Sequence, residues 1–409
     1  MQSSIAADPV LDTAAPLTQK PVPDRVGRPA ARRPWRAACR AALAVWSVVT
    51  VLHLAVSALA WLPRRDGQVP ELRMIFLGWN RWDAGLYVRI AEHGYHQGPG
   101  FPAFFPLYPL LVHLGDAVLP GDALVSALVV ANAAAFGALA VLHRLAEHEF
   151  GPRVAERAIW YLAAFPTGFF LFIGYNESLF ILLMAGALYA GRRANWWLAG
   201  TLGALSSATR LFGVLLVVPL AIEYLRQLGW QPRRIRLDVL GLALVPLGMV
   251  GYSIYCAVEL GNPLAFSVAQ AQWGRQYTFP GDAWLIATQQ MSGHRPLEPH
   301  TLGAILDTGT ILLAVTLLIL CVVGPFRFRR DQVYLVAQAA LTLVLLMSTE
   351  TAGRAIQSSP RYTLEVLAVF LVLARMGANR VVDRAVLTIG IALHAALLTV
   401  FMAGTLLVG

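Results

Sequence analysis

Lysine is all but missing from this chain. The single one, Lys20, lies in a polar N-terminal stretch, so neither a Walker A phosphate loop nor a Schiff-base lysine can be built. Cysteine is nearly as scarce: Cys39, Cys256 and Cys321 form no CxxC pair and lie in or beside apolar runs. Neither a disulfide framework nor a zinc site is suggested. Charged residues make up only 13% of the 409 residues, far below the share of a soluble domain. No DxD occurs for a nucleotide-sugar metal site, no GxSxG elbow and no HExxH.

What remains is apolar. The chain is 57% hydrophobic with a mean hydropathy of +0.60, which predicts an all-α polytopic membrane protein. A net charge of +9 and a pI near 9.8 do not point to nucleic acid. The arginines cluster at the ends of apolar runs, where retention on the cytoplasmic side explains them.

Residues 1–36, rich in Ala, Pro and Arg, read as a disordered cytoplasmic tail, and residues 37–409 as one transmembrane domain. Ala41–Leu62 is long enough to cross a bilayer. Its end carries Ala58-Leu59-Ala60, which resembles a signal-peptidase site, but the length of the span and the basic tail before it favour an uncleaved anchor. Further apolar segments at about 121–143, 156–174, 178–191, 195–208, 211–226, 237–260, 302–324, 332–348, 362–376 and 385–407 give roughly eleven crossings, some short enough to need tilt or local thinning. With the N-terminus inside, the arginine clusters at 144–157, 192–193, 226–236, 327–330 and 375–384 all fall on the cytoplasmic side, as the orientation rule requires. The opposite face then receives 63–120, 175–177, the turn at Arg210, 261–301 and 349–361. Phe104–Leu119, broken by Pro106 and Pro109, is predicted to be a re-entrant or interfacial helix, because a full crossing there would invert every later loop.

The polar residues of that face are the candidates for chemistry. In the first outer loop Trp82, Leu86 and Ile90 form an i, i+4 stripe, predicting a short amphipathic helix at the interface with Asp83 in its first turn. There a carboxylate suits the helix dipole, and at the membrane surface it can also serve as a general base. Glu92 is a solvated charge on this reading. His93 and His96 have ligand-like spacing, but Gly94 weakens the helix between them. The turn Tyr175-Asn176-Glu177-Ser178 is a polar break between two apolar helices, and its glycosylation sequon lies too close to the membrane to count. Arg210 interrupts an apolar run and needs a wet cavity or the surface. Gln270, Trp273 and Arg275 combine a planar cation with a stacking aromatic, a set suited to sugar and phosphate and equally to an interfacial anchor. Arg354, Arg361 and Tyr362 stand at the outer end of a membrane helix. Arginines there oppose the orientation rule, and a lipid phosphate is one reason for them. His143 and His148, on the cytoplasmic side, are read as solvated helix-end residues.

In order along the chain, RWDAGLYVRIAEHGY, AFFPLYP, GYNESLF, ATRLFG, AQAQWGR and SSPRYTL resemble the PIG-V family of mannosyltransferases, bacterial branch, within the multi-spanning GT-C glycosyltransferases. The resemblance runs over about residues 76–376. It implies a GT-C-like fold, a polyprenyl-phosphate mannose donor, a lipid or glycan acceptor, and an acidic residue of the first outer loop as catalytic base, a role that passes to Asp83. For Trp82, Glu92, Asn176, Glu177, Arg210, Gln270, Trp273, Arg275, Arg361 and Tyr362 the expectation is membership of the substrate site. No cofactor is certain, and a divalent metal is left open although no residue set indicates one. Direct attack on C1 would invert the anomeric centre, so a β-linked mannosyl phosphate would give an α-mannoside. A transporter or lipid flippase is the alternative; it would need polar residues near the bilayer midplane and internal repeats. The readings part on one geometric point: Asp83 gathered with Arg210, Arg275 or Arg361 in a single cavity favours the transferase.

Overall fold

The computed structural model describes residues 33–62, 71–292 and 298–405. Most of the expected N-terminal tail, the start of the first outer loop and a short piece of the second therefore lie outside the described residues. The chain is helical almost throughout. It opens with α1 (Arg33–Trp61), α2 (Leu72–Trp79), α3 (Asp83–His93), α4 (Leu107–Asp116), α5 (Ala123–Phe150), α6 (Pro152–Ala163), α7 (Glu177–Arg192), α8 (Trp196–Ser207), α9 (Val217–Gln227), α10 (Leu240–Leu244), α11 (Leu247–Glu259) and α12 (Ala265–Gln272). After the short strand β1 (Arg275–Tyr277) come α13 (Pro280–Ser292), α14 (Pro299–Val322) and α15 (Val333–Met347). Strands β2 (Thr349–Thr351) and β3 (Arg354–Ala355) then lead into α16 (Ser359–Tyr362), α17 (Leu367–Met376) and α18 (Arg380–Met402).

Among the described residues five helices are long and apolar enough to cross a membrane, beginning at Pro34, Ala123, Pro299, Arg330 and Arg380, or six if the pair 237–244 and 247–259 is one span bent by 46°. The bend falls at Pro246, which cannot donate the helical hydrogen bond. The other expected crossings are shorter or broken, for local reasons. Pro166 removes a donor just past the end of α6, and a 3₁₀ turn at Gly168–Leu171 replaces the continuous helix expected over 156–174. The run 211–226 starts as a 3₁₀ turn, Leu211–Leu216, before becoming α9.

Helix α5 is the hub. Its buried face carries Ala127, Ala131, Ala134, Ala135 and Ala138, small residues that let a neighbouring backbone approach closely where hydrophobicity alone gives no drive in lipid. Asn132 donates to the Phe172 carbonyl at 2.9 Å, and Asp122 caps the helix by accepting from Val125 N–H at 3.0 Å. The short helix α4 lies against the start of α5: Tyr108 donates to the Ala127 carbonyl at 3.0 Å and Ser126 to the Val112 carbonyl at 2.7 Å. Outward faces are apolar, with Leu43, Val48 and Val51 on α1, Leu312 and Ile319 on α14, and Ile389 and Leu393 on α18 all exposed. That pattern fits a multi-pass membrane protein.

One element was not predicted from the sequence. β1 pairs antiparallel with β2, setting Arg275 opposite Thr351, and β2 pairs with β3. This small sheet ties the loop after α12 to the loop after α15.

Candidate active site

Asp83 is the first residue of α3. Directly before it, Trp82 has φ 48° and ψ −121°, a conformation that costs a side-chain-bearing residue about 1–3 kcal/mol. Surrounding contacts hold it there. The Trp82 indole meets the Phe401 ring edge-on, centroids 4.8 Å apart, and Tyr175 donates to the Arg81 carbonyl at 3.2 Å. The strained turn joins α2 to α3.

From Asp83 a line of alternating charge runs into the protein. Arg361 Nη2 lies 2.6 Å from Asp83 Oδ2, and Arg361 Nε donates to Glu177 Oε1 at 2.5 Å. The same Glu177 oxygen also accepts from Arg210, whose other terminal nitrogen donates to Glu365. Asn176 Oδ1 accepts from Arg210 Nε at 3.0 Å. Glu177 and Glu365 are fully buried and Arg210 and Arg361 nearly so, whereas the Asp83 side chain keeps 24% of its surface exposed. Isolated charges at this depth are prohibitive, and pairing is what makes them tolerable. The Tyr362 ring lies under both guanidinium groups, 5.3 Å from Arg210 and 5.4 Å from Arg361, adding cation–π attraction.

Above this line opens a cavity of about 380 Å³. Trp82, Asp83 and Tyr87 come from the first expected outer loop, Asn176, Thr209 and Arg210 from the next two turns, Gln270, Trp273 and Arg275 from the α12–β1 segment, and Ser358, Arg361 and Tyr362 from the last. Arg275 donates to Gln270 Oε1 at 2.9 Å and to the Tyr362 hydroxyl at 3.0 Å; it is exposed and, among the described residues, has no carboxylate partner. Trp273 donates to the Gly100 carbonyl at 2.9 Å. Phe104, Phe105 and Phe212 complete an aromatic wall.

Three candidate residues stand apart from the cavity surface. Glu92 is exposed near the far end of α3, 3.7 Å from His93, because nine residues of helix carry it away from Asp83. Glu177 lies beneath the floor, behind the two arginines. Arg354 turns elsewhere, 3.7 Å from Asp307. Among the described residues no group of three His, Cys, Asp or Glu side chains could hold a metal ion. Sequence reasoning missed Glu365. Its signal was present: a carboxylate in an apolar run, four residues after Arg361, demands a buried partner.

These observations define a class: a multi-pass helical membrane protein with a charged, aromatic-walled cavity at one end of its bundle. Residues 71–228, which carry Asp83, Asn176, Glu177 and Arg210, match the family model described as mannosyltransferase (PIG-V). It is 33% identical over 233 residues to GPI alpha-1,6-mannosyltransferase 2 of Rattus norvegicus, covering 54% of this chain and 46% of the relative. The Cricetulus griseus protein of the same name is 35% identical over 216 residues, 50% of this chain and 42% of the relative. The chain thus spans about half the length of the curated relatives it matches. Among solved structures it resembles the Archaeoglobus fulgidus oligosaccharyltransferase (TM-score 0.43, 15% identity, 85% of this chain and 53% of that one). It also resembles ArnT from Cupriavidus metallidurans bound to undecaprenyl phosphate (TM-score 0.40, 16% identity, 87% and 77%).

Proposed function

We propose that the chain is a GT-C-like membrane glycosyltransferase, with residues 37–409 as its functional unit, that moves a mannosyl residue from a polyprenyl-phosphate sugar to a hydroxyl of a lipid or glycan acceptor on the outer face. The observation that carries this reading is the convergence of Asp83, Arg210, Arg275 and Arg361 on one cavity. Mannose as the sugar is supported by the family match. A lipid-borne donor is supported by the apolar and aromatic wall beside a cation, in a chain with no nucleotide motif.

Asp83 acts as the base. It takes the proton from the acceptor hydroxyl as that oxygen attacks C1, the bond from C1 to the phosphate oxygen breaks, and the phosphate leaves with the electron pair. A single displacement inverts the anomeric carbon. Arg210 and Arg361 are each neutralised by carboxylates, so the positive charge available to the leaving phosphate is Arg275, a fork able to hold two phosphate oxygens. Stacking on Trp273 suits the sugar. The transporter alternative expects its charges near the bilayer midplane. Here the large ion-pair clusters lie at the two ends of α7, around Glu177 and around Arg192, about 22 Å apart at 1.5 Å per residue.

The test is transfer of labelled mannose from polyprenyl-phosphate mannose in membranes with and without the protein, followed by analysis of the labelled lipids and glycans. A labelled product that depends on the protein is expected; its absence from membranes containing intact donor and well-expressed protein would overturn the proposal.

A further inference from the structure

The two ion-pair clusters of α7 differ in how completely their atoms are used. At the Arg192 end, Glu149 accepts from Arg192 at 2.6 Å, Tyr334 at 2.9 Å and Gln332 at 3.0 Å. Glu223 accepts from Arg192 at 3.1 Å and from Arg226 and Gln227 at 2.7 Å. At the cavity end, Glu177 Oε2 and Glu365 Oε2 are buried with no hydrogen-bond partner. Leaving such acceptors unpaired is costly, and a buried ion pair is in any case weak evidence of a stabilising role. The cavity-end cluster is thus the less fully paired of the two.

Its connectivity does point to a role. Arg210 and Arg361 compete for the same oxygen, Glu177 Oε1. Glu365 occupies the opposite terminal nitrogen of Arg210 and is itself fixed by its place in the chain, where its carbonyl accepts from Gln338 at 2.9 Å. With Glu365 in place, Arg210 needs little more from Glu177, and Arg361 keeps the share that orients its Nη2 toward Asp83. With that charge removed, Arg210 would turn both its forces on Glu177 and draw it from Arg361.

We infer that Glu365 is a positioning residue for Asp83, acting through Arg210, Glu177 and Arg361. This rests on the reading of Asp83 as the base. A displacement of about 1 Å at a reacting group costs on the order of a hundredfold in rate, so Glu365→Gln, which keeps shape and removes charge, should lower kcat by roughly that factor. Donor and acceptor KM should stay within about twofold, since Glu365 touches neither the cavity surface nor Arg275.

The experiment compares steady-state kinetics of purified wild type, Glu365→Gln, Asp83→Asn and the double variant, with thermal unfolding of each. The expected result is a kcat loss in Glu365→Gln with KM unchanged, and no further loss when it is added to Asp83→Asn. A wild-type kcat in Glu365→Gln overturns the positioning role while leaving the base intact, and so does an equal further loss in the Asp83→Asn background. Near-normal turnover by Asp83→Asn overturns the base itself. If Glu365→Gln fails to fold, Glu365→Gln with Arg210→Gln removes the competitor for Glu177 and leaves Glu177 to Arg361; it should fold and recover most of the wild-type kcat, and a rate still about a hundredfold down overturns the inference.

Discussion

Asp83 has one oxygen committed to Arg361, and its side chain stays partly open to the cavity, the arrangement a base needs: fixed in direction yet able to reach a hydroxyl. Asp83→Asn preserves size and the ability to start a helix but not basicity. Expected are normal membrane levels with transfer reduced by at least about a hundredfold, since loss of a general base costs roughly 10²–10⁴; quantified immunoblots beside the labelled-mannose assay decide it. The arginines should separate into two kinds. Arg275→Lys replaces a two-pronged contact by a point charge and should raise the donor KM roughly tenfold, in keeping with about 1.5–3 kcal/mol for a charged hydrogen bond, with little change in folded yield. Arg210→Lys and Arg361→Lys disturb ion pairs that are already complete, so their loss should appear in kcat and yield. Donor titrations of the three variants would sort them, and an unchanged donor KM in Arg275→Lys would remove it from the phosphate site.

Among the elements, the small sheet is the most sensitive test of how the cavity wall is held. Gly274, at φ +67°, sits where an added Cβ would meet the backbone nitrogen of Ala352 at 3.0 Å, and its carbonyl accepts from that same nitrogen at 2.8 Å. Gly274→Ala therefore strains the turn into β1 twice over. It should reproduce the donor defect of Arg275→Lys while leaving the thermal midpoint within a few degrees, because the sheet is only three strands of two or three residues on the loops between helices; kinetics and a melting curve check both halves. The sheet also marks where sequence reading ran out. α3 was legible because apolar spacing and a first-turn acid agree, and α4 because its prolines limit its length. β1 was not, since three exposed residues, Arg275–Tyr277, carry no alternation. Helix breaks at Pro166 and Pro246 were visible as prolines, yet hydropathy alone smoothed over them. Residues of the cavity could be proposed singly from their awkwardness in apolar surroundings. Which carboxylate satisfies which guanidinium depends on packing between segments as distant as 83 and 361, and no spacing rule encodes that.

For the molecule as a whole, orientation and anchoring can be tested apart from chemistry. Single cysteines placed at the exposed positions Gln97 and Arg330, in a background lacking the exposed Cys39, should label from opposite sides of sealed vesicles with an impermeant maleimide; labelling from one side would refute the proposed topology. At the opposite end of α7 from the cavity, Arg192→Met takes the nearest counter-charge from Glu149 and Asp331 and leaves Glu223 to Arg226 alone. It should cost about 3–5 kcal/mol of stability, the usual loss when one partner of a buried pair is removed, with the transfer rate per folded molecule preserved. The cavity-end charges have a different consequence, for biogenesis. Glu177 and Arg210 are synthesised 33 residues apart and can leave the translocon as one neutral couple. Arg361 and Glu365, four residues apart in the chain, arrive much later as a second couple that balances its own charge on entry into lipid. Neither couple asks the insertion machinery to hold a naked ion while the rest of the chain is made. Only when the last third of the protein is docked can the couples join, Arg361 reaching Glu177 and Arg210 adding Glu365 to the Glu177 it already holds, so the step that completes assembly is also the step that brings a cation to Asp83.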